Sequence, residues 1–414
     1  MIALHDPDLP FLPILRFAVC SDIHMQTIGD ERAGRLRHWI QSAYSIAQHD
    51  ALYPALDALL FAGDLTDHGT RDEVAAFWRV VSEEKRDGTQ ILSVLAKCHD
   101  NWSEGRNSPK DGMRFYREIT GLPTSYRFVI GGCSFIGIST SEQTGVYYDE
   151  SQRQWLSDAL ADAARETSGK PIFVMHHEHA MGTVFGSLPQ DGWGNDYFCD
   201  LFKLYPQIVH LSGHSHYPLN DPRSVWQGEY TAVGTGALSY AELTVDGQNK
   251  LHPPGHEKIA QGWIVELDAH NRLRLRGIDA LSDTLLCEII LDLSDPPQTF
   301  SQTPQQQYAR AAAPVFDNDA RMQSMQTEDG IKLTIPPAHC PDGAPVFLYR
   351  VCATDPAGSV LHSAVVIPEY WRADPAPLCV MLPKSRSDSI IQVHAENAFG
   401  MRSPTIRKEM HSEQ

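Results

Sequence analysis

Five short segments of the chain place carboxylates, imidazoles and one thiol directly after apolar runs. The segments are Asp22-Ile23-His24, Gly63-Asp64-Leu65-Thr66-Asp67, Cys98-His99-Asp100, His176-His177 and Gly213-His214-Ser215-His216. Aspartate, histidine and cysteine side chains are common ligands of transition metals in proteins. In this order the segments predict a site for two metal ions. A pair of such ions polarises phosphoryl oxygens and generates hydroxide at neutral pH.

Each segment follows a run with the composition of a buried strand. The runs are residues 16–20, 58–62, 91–96, 171–175 and 208–211. In open α/β sheets the carboxyl ends of the strands gather at one rim, where ligands bind. We therefore expect five segments that are far apart in the sequence to converge at one rim.

Length, charge and cysteine content restrict the class of protein. The chain has 414 residues, which is enough for a large core and predicts more than one domain. Its formal net charge of -18 argues against nucleic acid or an anionic membrane as a broad electrostatic partner. The eight cysteines form no CxxC pair, which predicts reduced thiols in a cytoplasmic protein. The sequence has no signal-peptide pattern and no apolar run of about 20 residues, so we predict no membrane span.

Residues 1–293 alternate strand-like runs with amphipathic segments, which predicts one α/β domain. Thr70-Arg71-Asp72-Glu73 and Ser151-Gln152-Arg153-Gln154 have the pattern of a capping box, and each predicts the start of a helix. Two apolar runs flank Gly131-Gly132, which predicts a β-hairpin. Runs at 230–233, 262–267 and 272–276 predict further antiparallel strands.

The composition changes after residue 293. Residues 294–324 are rich in Gln, Pro, Ala and Ser, which predicts a linker. Residues 325–414 contain short alternating runs at 331–335, 346–352, 360–367 and 390–395, typical of a small all-β sandwich domain. Residues 393–400, followed by Ser403-Pro404, resemble the last strands of fibronectin type III domains.

The five segments resemble the motifs of the calcineurin-like metallophosphoesterases. The pattern of that family reads DxH, GDxxD, GNH(D/E), a histidine after a strand, and GHxH, and the order of the segments matches it. The resemblance implies an α/β fold, a four-layer αββα sandwich. In it, two stacked sheets of mixed strand direction are covered by helices.

The resemblance also implies a role for each motif. The implied ligands are Asp22, His24 and His216 for the first metal, Asp64 as a bridge between both metals, and His176 and His214 for the second metal. His176 is preferred to His177 because it lies nearer the strand. His99 would stand near the leaving group, and Asp100 would fix its tautomer by accepting the other imidazole N–H.

The chain departs from the family pattern at Lys97-Cys98, where the family has Gly-Asn. The asparagine supplies a neutral oxygen to the second metal, so two interpretations of Cys98 stay open. As a thiolate it would bind the second metal and favour zinc or iron over magnesium or manganese. In the other interpretation the position is vacant and water fills it. A cysteine phosphatase is disfavoured, because Glu104 stands six residues after the cysteine, where those enzymes have arginine.

The remaining polar residues of the motifs have simpler interpretations. Asp67 is predicted to accept a hydrogen bond from a metal ligand. His68, His179 and His210 are predicted to be structural or to support the ligands. The loops at 102–111 and 182–197 are predicted walls of the substrate pocket, contributing Trp102, Arg106, Trp193 and Tyr197.

The predicted function is metal-dependent hydrolysis of a phosphodiester or a phosphomonoester by a metal-bound hydroxide. The implied cofactors are two divalent or trivalent metal ions, manganese, iron or zinc. The implied partner is a small-molecule phosphate ester. Two alternatives stay open: a non-catalytic scaffold with an altered second metal site, and a surface-binding protein that acts through its C-terminal β-sandwich.

Overall fold

A computed structural model describes residues 10–101, 108–167, 169–383 and 388–410. Trp102, Glu104 and Arg106 lie outside the described residues. The chain divides into two compact units. The first comprises Met1–Leu219, Ser224–His252 and His256–Thr303, and the second comprises Asn220–Arg223, Pro253–Gly255 and Pro304–Gln414.

The first unit is built mainly from strands. They are β1 (Pro13–Cys20), β2 (Ala58–Ala62), β3 (Gln90–Val94), β4 (Ser125–Ile130), β5 (Cys133–Ile138), β6 (Ile172–Met175), β7 (His179–Ala180), β8 (Gly194–Asn195), β9 (Ile208–Ser212), β10 (Val225–Gln227), β11 (Thr231–Gly234), β12 (Leu243–Val245), β13 (Gln248–Leu251), β14 (Gln261–Asp268), β15 (Arg272–Asp279) and β16 (Thr284–Asp292). Its α-helices are α1 (Glu31–His49), α2 (Arg71–Glu84), α3 (Pro109–Thr120), α4 (Glu150–Glu166) and α5 (Cys199–Phe202). A π-helical turn covers Lys97–Asn101, and a 3-10 turn covers Pro222–Ser224.

Two six-stranded sheets of mixed direction form the centre of this unit. The first has the strand order β16-β15-β14-β1-β2-β3, and the second has the order β10-β11-β9-β6-β5-β4. One apolar core fills the space between the sheets, with Phe17, Phe135 and Trp263 among its members. A second core lies between the first sheet and helices α1, α2 and α3, and a third lies between the other sheet and helices α4 and α5. The predicted αββα sandwich is therefore confirmed.

The five apolar runs that precede the polar segments are confirmed as strands β1, β2, β3, β6 and β9. The predicted hairpin is also confirmed, because β4 and β5 pair antiparallel across Gly131 and Gly132. Both glycines have positive φ, 56° and 80°, as a tight two-residue hairpin turn requires. The runs at 230–233, 262–267 and 272–276 correspond to β11, β14 and β15.

Of the two predicted helix starts, one is confirmed and one is misplaced by two residues. Thr70 caps α2, and Glu73 completes the capping box. Helix α4 is capped by Asp149 with Gln152 as the reciprocal partner, and Ser151 lies inside the helix. Aspartate is as good an N-cap as serine, so two overlapping patterns competed and the earlier one formed the box.

The second unit contains helix α6 (Pro304–Arg310) and a set of short strands. The strands are β17 (Val315–Phe316), β18 (Gln323–Gln326), β19 (Ile331–Thr334), β20 (Ala338–His339), β21 (Val346–Thr354), β22 (Val360–Val366), β23 (Cys379–Leu382), β24 (Ser389–Asn397) and β25 (Ile406–Met410). The orders β22-β21-β24-β25 and β18-β19-β23 give two antiparallel sheets. Both contribute to one apolar core, with Leu333, Val351 and Val393 among its members.

From residue 304 onward, the described residues of the second unit form only strands apart from α6, and the likeness of this unit to fibronectin type III domains stays a prediction. The segment predicted as a linker, 294–324, contains α6 and β17. No helix in the described part of the chain is both long and apolar enough to cross a bilayer.

Candidate metal centre

The carboxyl ends of strands from both sheets meet at one place. Strands β1, β2 and β3 run parallel in the first sheet, and β6 and β9 run parallel in the second. Backbone hydrogen bonds join their loops: the amide of Asp22 donates to Gly63 O at 3.1 Å, and that of Gly213 donates to His177 O at 2.9 Å. The stacking of the sheets therefore brings together polar segments that no single sheet would hold.

Three groups of potential metal ligands lie at this place: a smaller one of His24, Asp67 and His99, and two groups of four that are called the first and the second group below. The first group is Asp22, His24, Asp64 and His216, and the second is Asp64, Cys98, His177 and His214. Within each group the ligand atoms lie within 4.8 Å of one another. Asp64 belongs to both groups, which is the arrangement required for a carboxylate that bridges two metal ions.

In the first group, hydrogen bonds fix which ring nitrogens carry protons. His216 Nδ1 lies 3.0 Å from the carbonyl of Tyr240 and His24 Nδ1 lies 3.3 Å from the Asp67 carboxylate, so both Nδ1 atoms donate. The two Nε2 atoms, which lie 3.2 Å apart, are then the ring atoms that can bind a metal ion once they carry no proton. A carboxylate oxygen of Asp22 lies 3.1 Å from His216 Nε2 and adds a further acceptor.

The second group shows the same logic. His177 Nδ1 donates to the carbonyl of Ala62 at 2.8 Å, which makes Nε2 the ring atom that can bind a metal ion. That atom lies 3.2 Å from Asp64 Oδ2 and 3.1 Å from His214 Nδ1. The sulfur of Cys98 lies 3.5 Å from Asp64 Oδ1 and 3.9 Å from His214 Nδ1. The structure thus brings Cys98 to the second group.

These two groups fit two metal ions. Carboxylates, imidazoles and a thiol buried this close together hold protons when no metal is bound, and a metal cation can replace those protons. Carboxylate, imidazole and thiol ligands together suit manganese, iron or zinc. The carbonyls and the carboxylate behind the imidazoles are the supports that metal-binding histidines use to fix their tautomers.

Burial and neighbouring charges shift the pKa values of the candidate ligands. Burial raises the pKa of Asp22, but the neighbouring His216 and His177 together outweigh burial and lower the pKa to about 2. Burial lowers the pKa of His177, but Asp64, Cys98 and Asp22 together outweigh burial and raise the pKa well above its usual range. Burial and the charge of Asp64 both raise the pKa of Cys98 above its usual value. Without a metal ion, protons therefore occupy the second group.

The backbone is strained at the candidate ligands. Nine non-glycine residues in the described ranges have positive φ, and five of them are Asp22, His24, Asp64, His214 and His216. Such conformations cost free energy for residues other than glycine and cluster at functional sites. The concentration of strain at these five positions is independent evidence that this is a functional site.

Two glycines make the close approach of the loops possible. A Cβ atom on Gly63 would lie 2.5 Å from the ring of His177, and one on Gly213 would lie 2.4 Å from Ser21 Oγ. Gly63 also has a φ of 91°, which side chains rarely adopt. The glycines in the motifs GDxxD and GHxH are therefore explained by space and by conformation.

The structure differs from the sequence-based choice within His176-His177. His177 is the histidine in the second group, whereas His176 points to the other face of the sheet. There its ring packs against Phe198 and Phe202 at 5.5 Å and 5.8 Å and hydrogen-bonds to His210. Side chains alternate along an extended chain, so His176 continues the helix-facing side of β6 and His177 the side between the sheets.

The predicted partnership of His99 and Asp100 is not formed. His99 Nδ1 donates to the carbonyl of Asp67 at 2.9 Å, and that carbonyl sets its tautomer. Asp100 is buried and accepts hydrogen bonds from the amide and hydroxyl of Thr66 and from the amide of Ala96, each at 2.9 Å. Both residues lie in the π-helical turn, where consecutive side chains diverge. Asp100 therefore joins two ligand-bearing loops instead of orienting the imidazole.

The other polar residues of the motifs surround the centre. The Asp67 carboxylate contacts His24 as predicted, and His179 is held by the hydroxyls of Ser212 and Ser215 at 2.8 Å and 2.7 Å. Of the predicted pocket residues, Trp193 contacts the ring of His214 at 4.9 Å. Sequence reasoning did not identify Ala62 or Tyr240, because they act through backbone carbonyls that every residue possesses. The ring of Tyr240 also packs on His216 at 4.2 Å.

Residues 15–218 match the calcineurin-like phosphoesterases. This part of the chain belongs to that family. The match confirms the family that the motifs predicted, and it covers all of the candidate ligands of the calcineurin-like phosphoesterase domain.

Solved structures similar to the chain were also found, whereas no curated protein sequence matches it. A purple acid phosphatase from yellow lupin (Lupinus luteus) seeds is 14% identical, with a TM-score of 0.44, covering 67% of this chain and 53% of that one. An NAD nucleotidase from Haemophilus influenzae is 12% identical, with a TM-score of 0.38, covering 64% and 49%. PhoD is 11% identical, with a TM-score of 0.36, covering 98% and 73%. The matched region spans about half the length of the first two.

Proposed function

We propose that the protein hydrolyses phosphate esters, phosphodiesters or phosphomonoesters, with the help of two metal ions. The observation that carries the proposal is the pair of adjoining ligand groups that share the carboxylate of Asp64. Membership of the calcineurin-like phosphoesterases supports the same class of reaction. Among the described residues of the second unit, no comparable cluster favours the predicted alternative of a surface-binding protein.

The residues that would hold the two ions are Asp22, His24, Asp64 and His216 for the first and Asp64, Cys98, His177 and His214 for the second. Two such ions polarise phosphoryl oxygens and activate water at neutral pH. Asp67, Ala62 and Tyr240 keep the ring nitrogens of His24, His177 and His216 in the tautomer that can bind metal.

His99 is placed to handle the leaving group. Its side chain is 34% exposed, and its ring lies 4.4 Å from that of His24. Since Nδ1 donates to the Asp67 carbonyl, Nε2 is the atom that can face substrate. A protonated Nε2 would donate to the departing oxygen and prevent charge from building on it.

Removal of metal tests this function directly. We expect about two metal ions per chain by elemental analysis, and we expect a chelator to reduce hydrolysis of 4-nitrophenyl phosphate and bis(4-nitrophenyl) phosphate to the uncatalysed rate. Adding back manganese, iron or zinc should restore turnover. The ratio of the rates for 4-nitrophenyl phosphate and bis(4-nitrophenyl) phosphate shows whether the enzyme is a monoesterase or a diesterase. Retained turnover in metal-free protein would overturn the proposal, and metal binding without turnover of any ester would identify the non-catalytic scaffold.

Replacement of Cys98 by asparagine tests the altered ligand. If the thiol binds the second ion as thiolate, metal binding releases its proton. Cys98→Asn should then release about one proton fewer per chain in calorimetry in buffers of different ionisation enthalpy. The variant should also shift its preference from zinc toward manganese, because an oxygen ligand is harder than sulfur.

Cys98→Ser and Cys352→Asn serve as controls for this experiment. Cys352 is a half-buried cysteine of the second unit, so its replacement should change neither proton release nor metal preference. Cys98→Ser should lose most of the second ion if the thiolate is a ligand. Equal metal content, preference and proton release in all of these proteins would show that Cys98 has no role at the centre.

A further inference from the structure

Beside the second ligand group, a series of contacts leaves the centre at Cys98 and returns to it at His177. Five side chains form this arc, Lys97, Tyr147, Tyr197, Tyr148 and Glu178. Lys97 precedes Cys98 in the chain, and Glu178 follows His177. All five belong to the first unit.

The contacts along the arc are continuous. The ammonium of Lys97 lies 5.0 Å from the centre of the Tyr147 ring. The ring of Tyr147 stacks on that of Tyr197 at 6.0 Å, and Tyr197 contacts Tyr148 at 5.4 Å. The hydroxyl of Tyr148 donates to Glu178 Oε2 at 2.7 Å. The arc therefore forms a wall that begins and ends on residues adjacent to candidate ligands.

Glu178 has unused hydrogen-bonding capacity. It is 3% exposed, and its Oε1 has no hydrogen-bond partner among the described residues. A buried carboxylate oxygen without a donor costs free energy, and in native proteins such an atom is completed by ordered water, an ion or a ligand. The charge of this carboxylate also disfavours a second anionic group at that position. The missing partner is therefore a donor such as an N–H or O–H.

Lys97 is a second group with unused capacity. It stands where the family pattern has glycine, and it is 7% exposed. Its ammonium donates to the carbonyl of Val146 and forms no ion pair with a carboxylate in the described ranges. An ammonium has three donors, so two remain for oxygen atoms of a ligand.

Two tyrosine rings of the arc are open to a ligand. Tyr147 and Tyr197 are 38% and 39% exposed, whereas Tyr148, which holds Glu178, is 7% exposed. Exposed rings of this kind bind planar groups by stacking. A ring surface, an acceptor and a donor therefore lie together next to the second ligand group.

We propose that this arc binds the organic part of the phosphate ester and selects a planar heterocycle with an N–H donor at its edge, as in an aminopurine nucleotide. The heterocycle stacks on Tyr197 and Tyr147, its amino group donates to Glu178 Oε1, and Lys97 binds a sugar or phosphate oxygen. This inference rests on the proposed function, because it assigns a substrate class to the same centre.

Three compounds that share one phosphate and one sugar test the arc. They are adenosine 5′-monophosphate, purine riboside 5′-monophosphate, which lacks the amino group, and ribose 5-phosphate, which lacks the base. Kd is measured by calorimetry on the metal-loaded enzyme, and kcat/KM replaces it for any compound that is hydrolysed. We expect each step down the series to weaken binding about tenfold, the scale of one base hydrogen-bond pair or one stacked base.

Variants assign each step to a residue. Glu178→Leu should abolish the preference for the amino group, and Glu178→Gln, which keeps an acceptor oxygen, should retain part of it. Tyr197→Leu should abolish the preference for the base. Tyr308→Leu, at a tyrosine of the second unit that is 57% exposed, should leave both ratios unchanged. Metal content and melting temperature show whether each variant is folded.

The outcomes separate this inference from the proposed function. Equal Kd values for the three compounds in the wild type would overturn the proposed binding role of the arc. Kd ratios between the compounds that stay the same in both Glu178→Leu and Tyr197→Leu would also overturn it. If nitrophenyl esters are still cleaved in a metal-dependent manner, the proposed function survives that result. If those esters are not cleaved but the Kd series and its variants behave as expected, the arc is a binding site and the hydrolase is overturned.

Discussion

Replacement of Asp64 by alanine is expected to remove both metal ions and to lower kcat/KM by more than about 10³-fold, because two-metal stabilisation of the transition state is lost. The carboxylate lies 3.2 Å from His177 Nε2 in one group and 3.8 Å from His24 Nε2 in the other. No other residue belongs to both groups. Elemental analysis together with turnover of bis(4-nitrophenyl) phosphate measures the effect.

A matched control separates metal loss from backbone strain. Asp64 and Asp283 both have a φ of 50°, a conformation in which alanine is strained. The Asp283 side chain is 64% exposed and lies outside both ligand groups, so Asp283→Ala should share the backbone cost and keep the metals.

A second variant tests the support of the first ion. Asp67→Ala should weaken binding of the first ion about 10–100-fold, because it removes the carboxylate that accepts the Nδ1 hydrogen of His24. For the first variant, the overturning outcome is clear. If Asp64→Ala keeps the metal content and the rate of the wild type, the bridge is assigned to the wrong residue.

The sequence could predict where the candidate ligands are, because strand burial has a strong signal. Run 58–62 is apolar throughout and run 208–211 is apolar apart from His210, as is typical of strands covered on both faces, and both are buried strands. The polar residues that follow them interrupt the runs, so the ends of β2 and β9 are readable without a structure. The sandwich itself followed from the resemblance of the motifs to a family.

The sequence could not predict which face of the sheet each side chain occupies at the ends of these strands. His176 and His177 differ by one residue, and the face that each occupies depends on the phase of β6 relative to two different cores. Asp100 was assigned to His99 because the two are adjacent, but adjacent side chains in a helical turn diverge. In both cases the predicted segment lies at the centre, but the backbone conformation decides which way each side chain points.

The supports of the centre were also beyond sequence reasoning. The carbonyls of Ala62, Tyr240 and Asp67 orient His177, His216 and His99, and a carbonyl has no signature in the sequence. Positive φ at aspartate and histidine is likewise unreadable, since these residues adopt it only when neighbouring loops impose it.

The pair His176-His177 tests which histidine binds the second ion, because both are buried histidines but their side chains face opposite cores. His177→Ala should lose the second ion and lower kcat/KM by about 10²–10³-fold, the scale of losing one preorganised electrostatic group. His176→Ala should keep two ions and instead destabilise the fold by about 1–3 kcal/mol, since it removes a ring packed on Phe198 and Phe202. Each variant is thus the control for the other, with metal stoichiometry and melting temperature as the readouts. Loss of the second ion in His176→Ala with full metal content in His177→Ala would reverse the assignment made from the structure and return the ligand to the residue nearest the strand.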